Sequence, residues 1–342
     1  MENLKEKPDV FFNHQKESSQ LLSLGVHDAS YDFKKCFKSQ LDYISASKLK
    51  KLDEGDWHFV SHYILKRQNP RTEALKLGDL IHKALLRPKD FAHKYIVEPK
   101  FSGKGAKAEK ESWYPFLAKD VIVISEKERD QVNGMINALQ CDEYAWGLLN
   151  SATPERIIIT EGRGGVPFVS IPDFFREDGL FLDFKNRAAL GDDSFQKDLY
   201  NWKWWIQIGF YLIAGNQLLK KEYDDFIFIL ACNQIPFDTD VFPIDAETVG
   251  ISRLCTEKLI DDYVAKLPLF KEAEDMVAAH ELAKLEMKEP IEIYNADFRI
   301  EVALRKMFAK RKGQTPDPTG MPSWALSKLA FKYGLQYKGE MP

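Results

Sequence analysis

The sequence predicts an α/β protein: a mixed central β-sheet flanked by helices, with a helical portion before the sheet and an extension after it. Three observations carry this. Apolar residues recur at helical spacing through much of residues 43–150. Short β-branched and aromatic runs then cluster between residues 156 and 184, separated by turn residues. A long aromatic helix parts those runs from two more, at 226–231 and 241–244. Strands joined by short turns pair antiparallel, whereas a crossover helix makes its flanking strands parallel, so the sheet is mixed.

Each element follows in chain order. Residues 1–42 lack clear periodicity. Ser45-Ala46-Ser47 precedes a Lys/Leu-rich helical run, and Ser45 or Ser47 suits its N-cap. Residues 72–86 form a second helix with Leu75, Leu77, Leu80, Ile81, Ala84 and Leu85 on one broad side, ended by Arg87-Pro88. Residues 99–110, rich in Lys, Gly and Ala, read as a flexible loop. Helix returns over 126–149, through Val132, Met135, Ile136 and Leu139. Strands are expected at 156–160, 166–175 and 180–184, with turns at 161–165 and 176–179, giving an antiparallel meander. A Trp- and Ile-rich helix covers 195–220, and helices resume over 247–285. A helix at 297–312 precedes a Pro/Gly-rich stretch at 313–322. The expected organisation is a segment 1–42, a domain 43–285 (helical part 43–150, sheet core and flanking helices 151–285) and an extension 286–342.

The 342 residues are 44% hydrophobic and 29% charged with net charge −4, an ordinary globular balance. No stretch approaches the roughly 18 apolar residues of a spanning helix. The polar, acid-bearing N-terminus argues against a secretory or transit signal, so a cytoplasmic location and no membrane partner are expected. Cys36, Cys141, Cys232 and Cys255 are scattered without a Cys-x-x-Cys pair, which argues against structural zinc; reduced, mostly buried thiols are expected. The net charge does not advertise a nucleic-acid binder, yet basic residues concentrate locally. They lie at Lys34-Lys35, at 48–51, in the loop holding Lys100, Lys104, Lys107 and Lys110, and at Lys310-Arg311-Lys312. Any one of these runs is commonly a solvated face.

Chemistry concentrates in the sheet. Glu155 opens the first strand, Asp173 lies near the end of the second, and Asp183 and Lys185 share one face of the third. Pro172 suits a strand edge or bulge, and pairing through the 176–179 turn brings Asp173 near Asp183. Crowded carboxylates repel unless a cation sits between them. A hard ion such as Mg²⁺ prefers oxygen ligands and polarises a phosphoryl oxygen, while Lys185 orients a water or stabilises growing charge. A lone Asp-x-Lys is commonly a surface ion pair; the ordered set is what carries weight.

Ile171-Pro172-Asp173 followed by Asp183-Phe184-Lys185 resembles the signature of the PD-(D/E)xK nuclease superfamily. Ser45-Ala46-Ser47, the segment from Lys76 to His82, and Gln207-Ile208-Gly209-Phe210-Tyr211 extend the likeness to the exonuclease VIII (RecE-like) branch over roughly residues 43–265. The resemblance implies a restriction-endonuclease-like core. It implies a metal set of His82, Glu155, Asp173 and Asp183, and a catalytic set of Asp173, Asp183, Lys185, Gln207 and Tyr211. Mg²⁺ is the implied ion, with Mn²⁺ as substitute. It further implies digestion of linear duplex DNA ends, 5′ to 3′, leaving 3′ single strands for phage recombination, with a single-strand annealing protein as partner and a ring-shaped homo-oligomer. Lys104, Lys107 and Arg187 are the candidate DNA contacts. Ile171 and Asn186-Arg187 depart from the branch, which more often has Arg before Pro-Asp and Thr or Ser after the lysine. Two other readings stay open: a non-catalytic DNA-binding or assembly protein that kept the fold, and a CRISPR-associated iron–sulfur nuclease, which needs its four cysteines gathered.

Overall fold

A computed structural model describes residues 22–309, apart from 69 and 71. The chain divides into two compact units, Met1–Val277 and Ala278–Pro342.

The first unit opens with β1 (Gly25–His27), α1 (Ala46–Asp53), α2 (Asp56–Phe59), α3 (Glu73–Leu86) and α4 (Pro88–Lys94). Then come β2 (Tyr95–Val97), α5 (Ala106–Trp113), β3 (Ile122–Ile124), α6 (Glu126–Cys141) and α7 (Glu143–Ser151). Thr72 caps α3 by accepting the Leu75 N–H at 3.3 Å, and the helix buries Leu77, Leu80, Ile81, Ala84 and Leu86. The helix expected over 126–149 is two helices. Asp142 ends the first and caps the second, accepting from the N–H groups of Tyr144 and Ala145 at 3.1 and 3.0 Å. The loop expected at 99–110 holds the start of α5, because the Ala/Lys/Glu run from Ala106 has strong helix propensity. Lys48, expected on a basic face, is 1% exposed. The thiols are free but not mostly buried: Cys141 and Cys255 are exposed, and Cys232 is buried.

The strands β4 (Thr153–Pro154), β5 (Ile157–Arg163), β6 (Val166–Ser170), β7 (Phe174–Phe175) and β8 (Phe181–Arg187) do not form one meander. β1, β5 and β6 make one antiparallel sheet; β7 leaves it and pairs antiparallel with β8 in a second, five-stranded sheet. The break falls at Ile171-Pro172-Asp173, since proline has no N–H to continue a ladder. Between β5 and β6 the chain turns at Gly164-Gly165, later than expected, after a bulge. Gly162 sits there at φ +72, where a Cβ would meet the Val166 carbonyl oxygen at 1.9 Å.

The crossover expected as one helix is α8 (Asp192–Asn201) and α9 (Trp204–Leu219), broken at Lys203, which is left-handed at φ 55 and ion-paired with Asp53. It returns the chain to β9 (Phe226–Cys232), parallel to β8, and then to antiparallel β10 (Thr239–Pro243). The sheet order is β10-β9-β8-β7-β4. All seven residues of β9 are buried, as a central parallel strand requires. One core joins Leu80, Ile81 and Met135 to Leu182, Phe184 and Ile229. The first part of α10 (Ala246–Lys284) lies against α9, and Gly209 permits the approach. A Cβ there would stand 2.3 Å from Thr256 Oγ1 and 2.4 Å from the Ser252 carbonyl oxygen.

Within the second unit, α11 (Pro290–Ala309) starts earlier than the 297 expected. Lys310-Arg311-Lys312 and the stretch 313–322 lie outside the described residues. Among the described residues no helix is long and apolar enough to cross a membrane.

Candidate active site

The alternation of β8 sends Phe184 into the core, fully buried and edge-on to the His82 ring at 5.4 Å, and leaves Asp183 and Lys185 together on the opposite side. Asp173 enters from the Pro172 break, and its Oδ2 accepts the Phe184 N–H at 2.9 Å. That bond ties one carboxylate to the strand carrying the other. His82, on α3, stands with Nδ1 3.5 Å from the same oxygen. Asp183, 1% exposed, is ion-paired with Lys185.

Helix α9 closes the site. Gln207 and Tyr211, one turn apart, face it together. Gln207 Nε2 donates to Asp183 Oδ1 at 3.2 Å, and the Tyr211 hydroxyl donates to the Ile171 carbonyl at 3.3 Å. From α1, Lys50 Nζ donates to Gln207 Oε1 at 2.8 Å. Lys50, Gln207 and Tyr211 line a cavity of about 330 Å³ with Tyr43, Ser45 and Ser47.

The two carboxyls are electrostatically unlike. Burial, and after it the charge of Asp173, push Asp183 above the ordinary carboxyl range despite the pull of Lys185. Burial also raises Asp173, but His82, Lys185 and the Phe184 N–H together hold it below that range. Burial lowers His82, and Asp173 more than reverses the effect. Burial pushes the Lys50 ammonium down to about 7, with Lys185 acting in the same direction.

The residues fit a hard divalent ion. Asp183 Oδ2 is buried and has no partner beyond the Lys185 ammonium. A desolvated carboxylate oxygen in that state is what a cation stabilises. The set is open: His82, Glu155, Asp173 and Asp183 do not close on one another. Among the described residues, the group whose ligand atoms lie within 4.8 Å is instead His280, Glu281 and Asp297 in the second unit. There Asp297 already accepts from His280 and Lys284, at 2.7 and 2.9 Å. An open set still suits Mg²⁺, which needs only one or two carboxylates and keeps several waters.

The remaining candidates stand apart from this centre. The Glu155 carboxylate is ion-paired with Arg87, although its N–H reaches the Asp173 carbonyl at 2.9 Å. Arg187 holds Asp198 at 2.6 Å and is only 10% exposed. Lys104, just before α5, and Lys107, within it, are exposed, with Lys107 3.9 Å from Glu111. No three of the cysteines gather among the described residues. Lys50 and Arg87 were not singled out by sequence reasoning. For Lys50 a signal existed: residues two apart on a helix do not share a face, so 48–51 was never one basic surface. For Arg87 there was none.

A mixed sheet with Asp-x-Lys on one strand and Pro-Asp in the break just before the neighbouring strand, with helices on its faces, is the fold of the PD-(D/E)xK nucleases, which use divalent metal ions and act on DNA. The chain belongs to the family described as PDDEXK-like domain of unknown function (DUF3799), whose model matches residues 45–268. Among solved structures it is similar to a crystal structure named "Putative exonuclease" from Eubacterium rectale. Identity is 15%, coverage 68% of this chain and 83% of that one, and the TM-score 0.48. No curated protein matches by sequence.

Proposed function

We propose that this protein is a metal-dependent deoxyribonuclease that hydrolyses phosphodiester bonds from the ends of linear duplex DNA. The observation that carries the reading is the meeting of Asp173 and Lys185 around the buried Asp183, clamped by Gln207 and the Phe184 N–H, in a chain of this family. Asp173, Asp183 and His82 are the groups that would hold Mg²⁺, or Mn²⁺ in its place; Glu155 joins them only by leaving Arg87. When bound, the ion supplies a Lewis acid for a phosphoryl oxygen and acidifies water. Lys185 places its ammonium beside the growing charge of the scissile phosphate. Gln207 and the Phe184 N–H keep the two carboxylates from turning away.

The likeness of the ordered motifs to the exonuclease VIII branch supports finer features: 5′ to 3′ polarity, 3′ single-stranded products for recombination, a single-strand annealing partner, a ring-shaped homo-oligomer, a phage setting and a cytoplasmic location. Lys104, Lys107 and Arg187 remain the proposed DNA contacts, Arg187 after release from Asp198.

The test is incubation of end-labelled linear duplex and closed circular duplex with Mg²⁺, with Mn²⁺ and with EDTA. Linear DNA should shorten from its ends with either ion, and the circle should survive. Cleavage of the circle makes the enzyme an endonuclease; inertness towards both substrates removes the reading.

A further inference from the structure

Lys50 lies outside the sheet motif, yet it touches the machinery through one atom. Its Nζ donates to Gln207 Oε1 at 2.8 Å, while the other end of that amide donates to Asp183 Oδ1 at 3.2 Å. An amide has one accepting and one donating end, and swapping them would set an oxygen against a carboxylate oxygen. Nothing in Gln207 itself chooses between the two orientations. The Lys50 ammonium has no lone pair and can only donate, so its bond to Oε1 selects the orientation with Nε2 towards Asp183.

We propose that Lys50 is a positioning residue that acts through Gln207, fixing the amide so that it holds the Asp183 carboxylate in its metal-binding pose. The α1 backbone supplies the rigidity this requires. The main chain entering that helix is tied to β6, the Ile44 N–H donating to the Pro167 carbonyl at 2.9 Å and the Val169 N–H to the Ile44 carbonyl at 2.8 Å. Lys203 holds Asp53 at the far end of the helix. The lysine is thus anchored to both the sheet that ends at Pro172 and the turn that launches α9.

The inference rests on the nuclease reading for its importance, but metal binding judges it separately. A double-mutant cycle between Lys50→Met and Gln207→Leu is read first by Mn²⁺ calorimetry on the intact chain. Each single variant should weaken Mn²⁺ binding about tenfold, the order expected for loss of one hydrogen bond to a charged group. If Lys50 works through Gln207, the double variant binds within about threefold of Gln207→Leu alone. Losses that multiply, to about a hundredfold, would assign Lys50 an independent role and overturn the proposal, as would a Lys50→Met protein with unchanged affinity. Lys50→Arg, which keeps a donor, should restore binding to within about threefold of wild type, and it carries the test if the Met variant does not fold. DNA cleavage is the second reading: kcat should fall about tenfold in both single variants and no further in the double, with KM little changed. A wild-type protein that binds Mn²⁺ but leaves DNA intact would remove the nuclease reading while the calorimetric cycle still decides Lys50.

Discussion

Replacing the buried Lys48 by methionine should change how stability depends on pH. Lys48 is 1% exposed, donates to the carbonyls of Gln40 and Tyr43 (the latter at 2.7 Å) and stands 3.0 Å from the centre of the Tyr43 ring. Burial pushes its ammonium down to about 6, against the pull of Asp42 and Glu274, from an ordinary 10.5. Between those two values the unfolded chain carries a proton that the folded chain lacks, so stability rises with pH. The penalty is full below about 6 and gone above 10.5. The slope is about 1.4 kcal/mol per pH unit, or about 3 kcal/mol from pH 7 to pH 9. Lys48→Met removes the slope and adds a pH-independent loss of about 1–3 kcal/mol for each carbonyl left without a donor. Urea unfolding at pH 7, 8 and 9, in chelator-treated buffer, gives the difference between the two proteins at each pH. Shared titrations cancel in that difference. It should grow by about 3 kcal/mol in favour of wild type. A difference constant within about 0.5 kcal/mol would mean that Lys48 stays protonated in the fold and would refute the reasoning.

Other outcomes are equally open to measurement. Asp183→Asn and Lys185→Met should each lower the DNA cleavage rate by at least about 10²-fold with circular dichroism unchanged; wild-type rates in either would place the chemistry elsewhere. Gly209→Ala pushes a methyl group to within 2.4 Å of the Ser252 carbonyl oxygen. Overpacking costs about 1–3 kcal/mol against a helix-propensity gain near 1, so the melting temperature should drop by a few degrees; a rise would show that α10 yields freely. The purified protein should be colourless, because its cysteines do not gather; visible absorbance that disappears with reductant and chelator would restore the iron–sulfur alternative.

Much of the architecture was already written in local pattern. Turn residues at 176–179 paired β7 with β8, alternation placed Phe184 in the core and Asp183 with Lys185 opposite it, and a four-residue spacing put Gln207 and Tyr211 on one face. These depend on periods of two and 3.6 residues, which a single segment contains. The breaks were harder to place. Pro172 was read as an edge or bulge, yet it moves the chain from one sheet to another, and that depends on which strand waits to pair. Lys203 splits the aromatic helix in a left-handed conformation, where its side chain pairs with Asp53, far away in sequence.

Sequence by itself determined the element types, the Pro-Asp and Asp-x-Lys signature and the likeness to a metal-dependent nuclease, since each resides in neighbouring residues. Only the tertiary structure decided the environment of the charges. It buried Lys48, drew Lys50 onto Gln207, engaged Glu155 with Arg87 and Arg187 with Asp198, and made Asp173 and Asp183 unlike acids. Desolvation and Coulomb interaction depend on distance through space, and residues far apart in the chain set both.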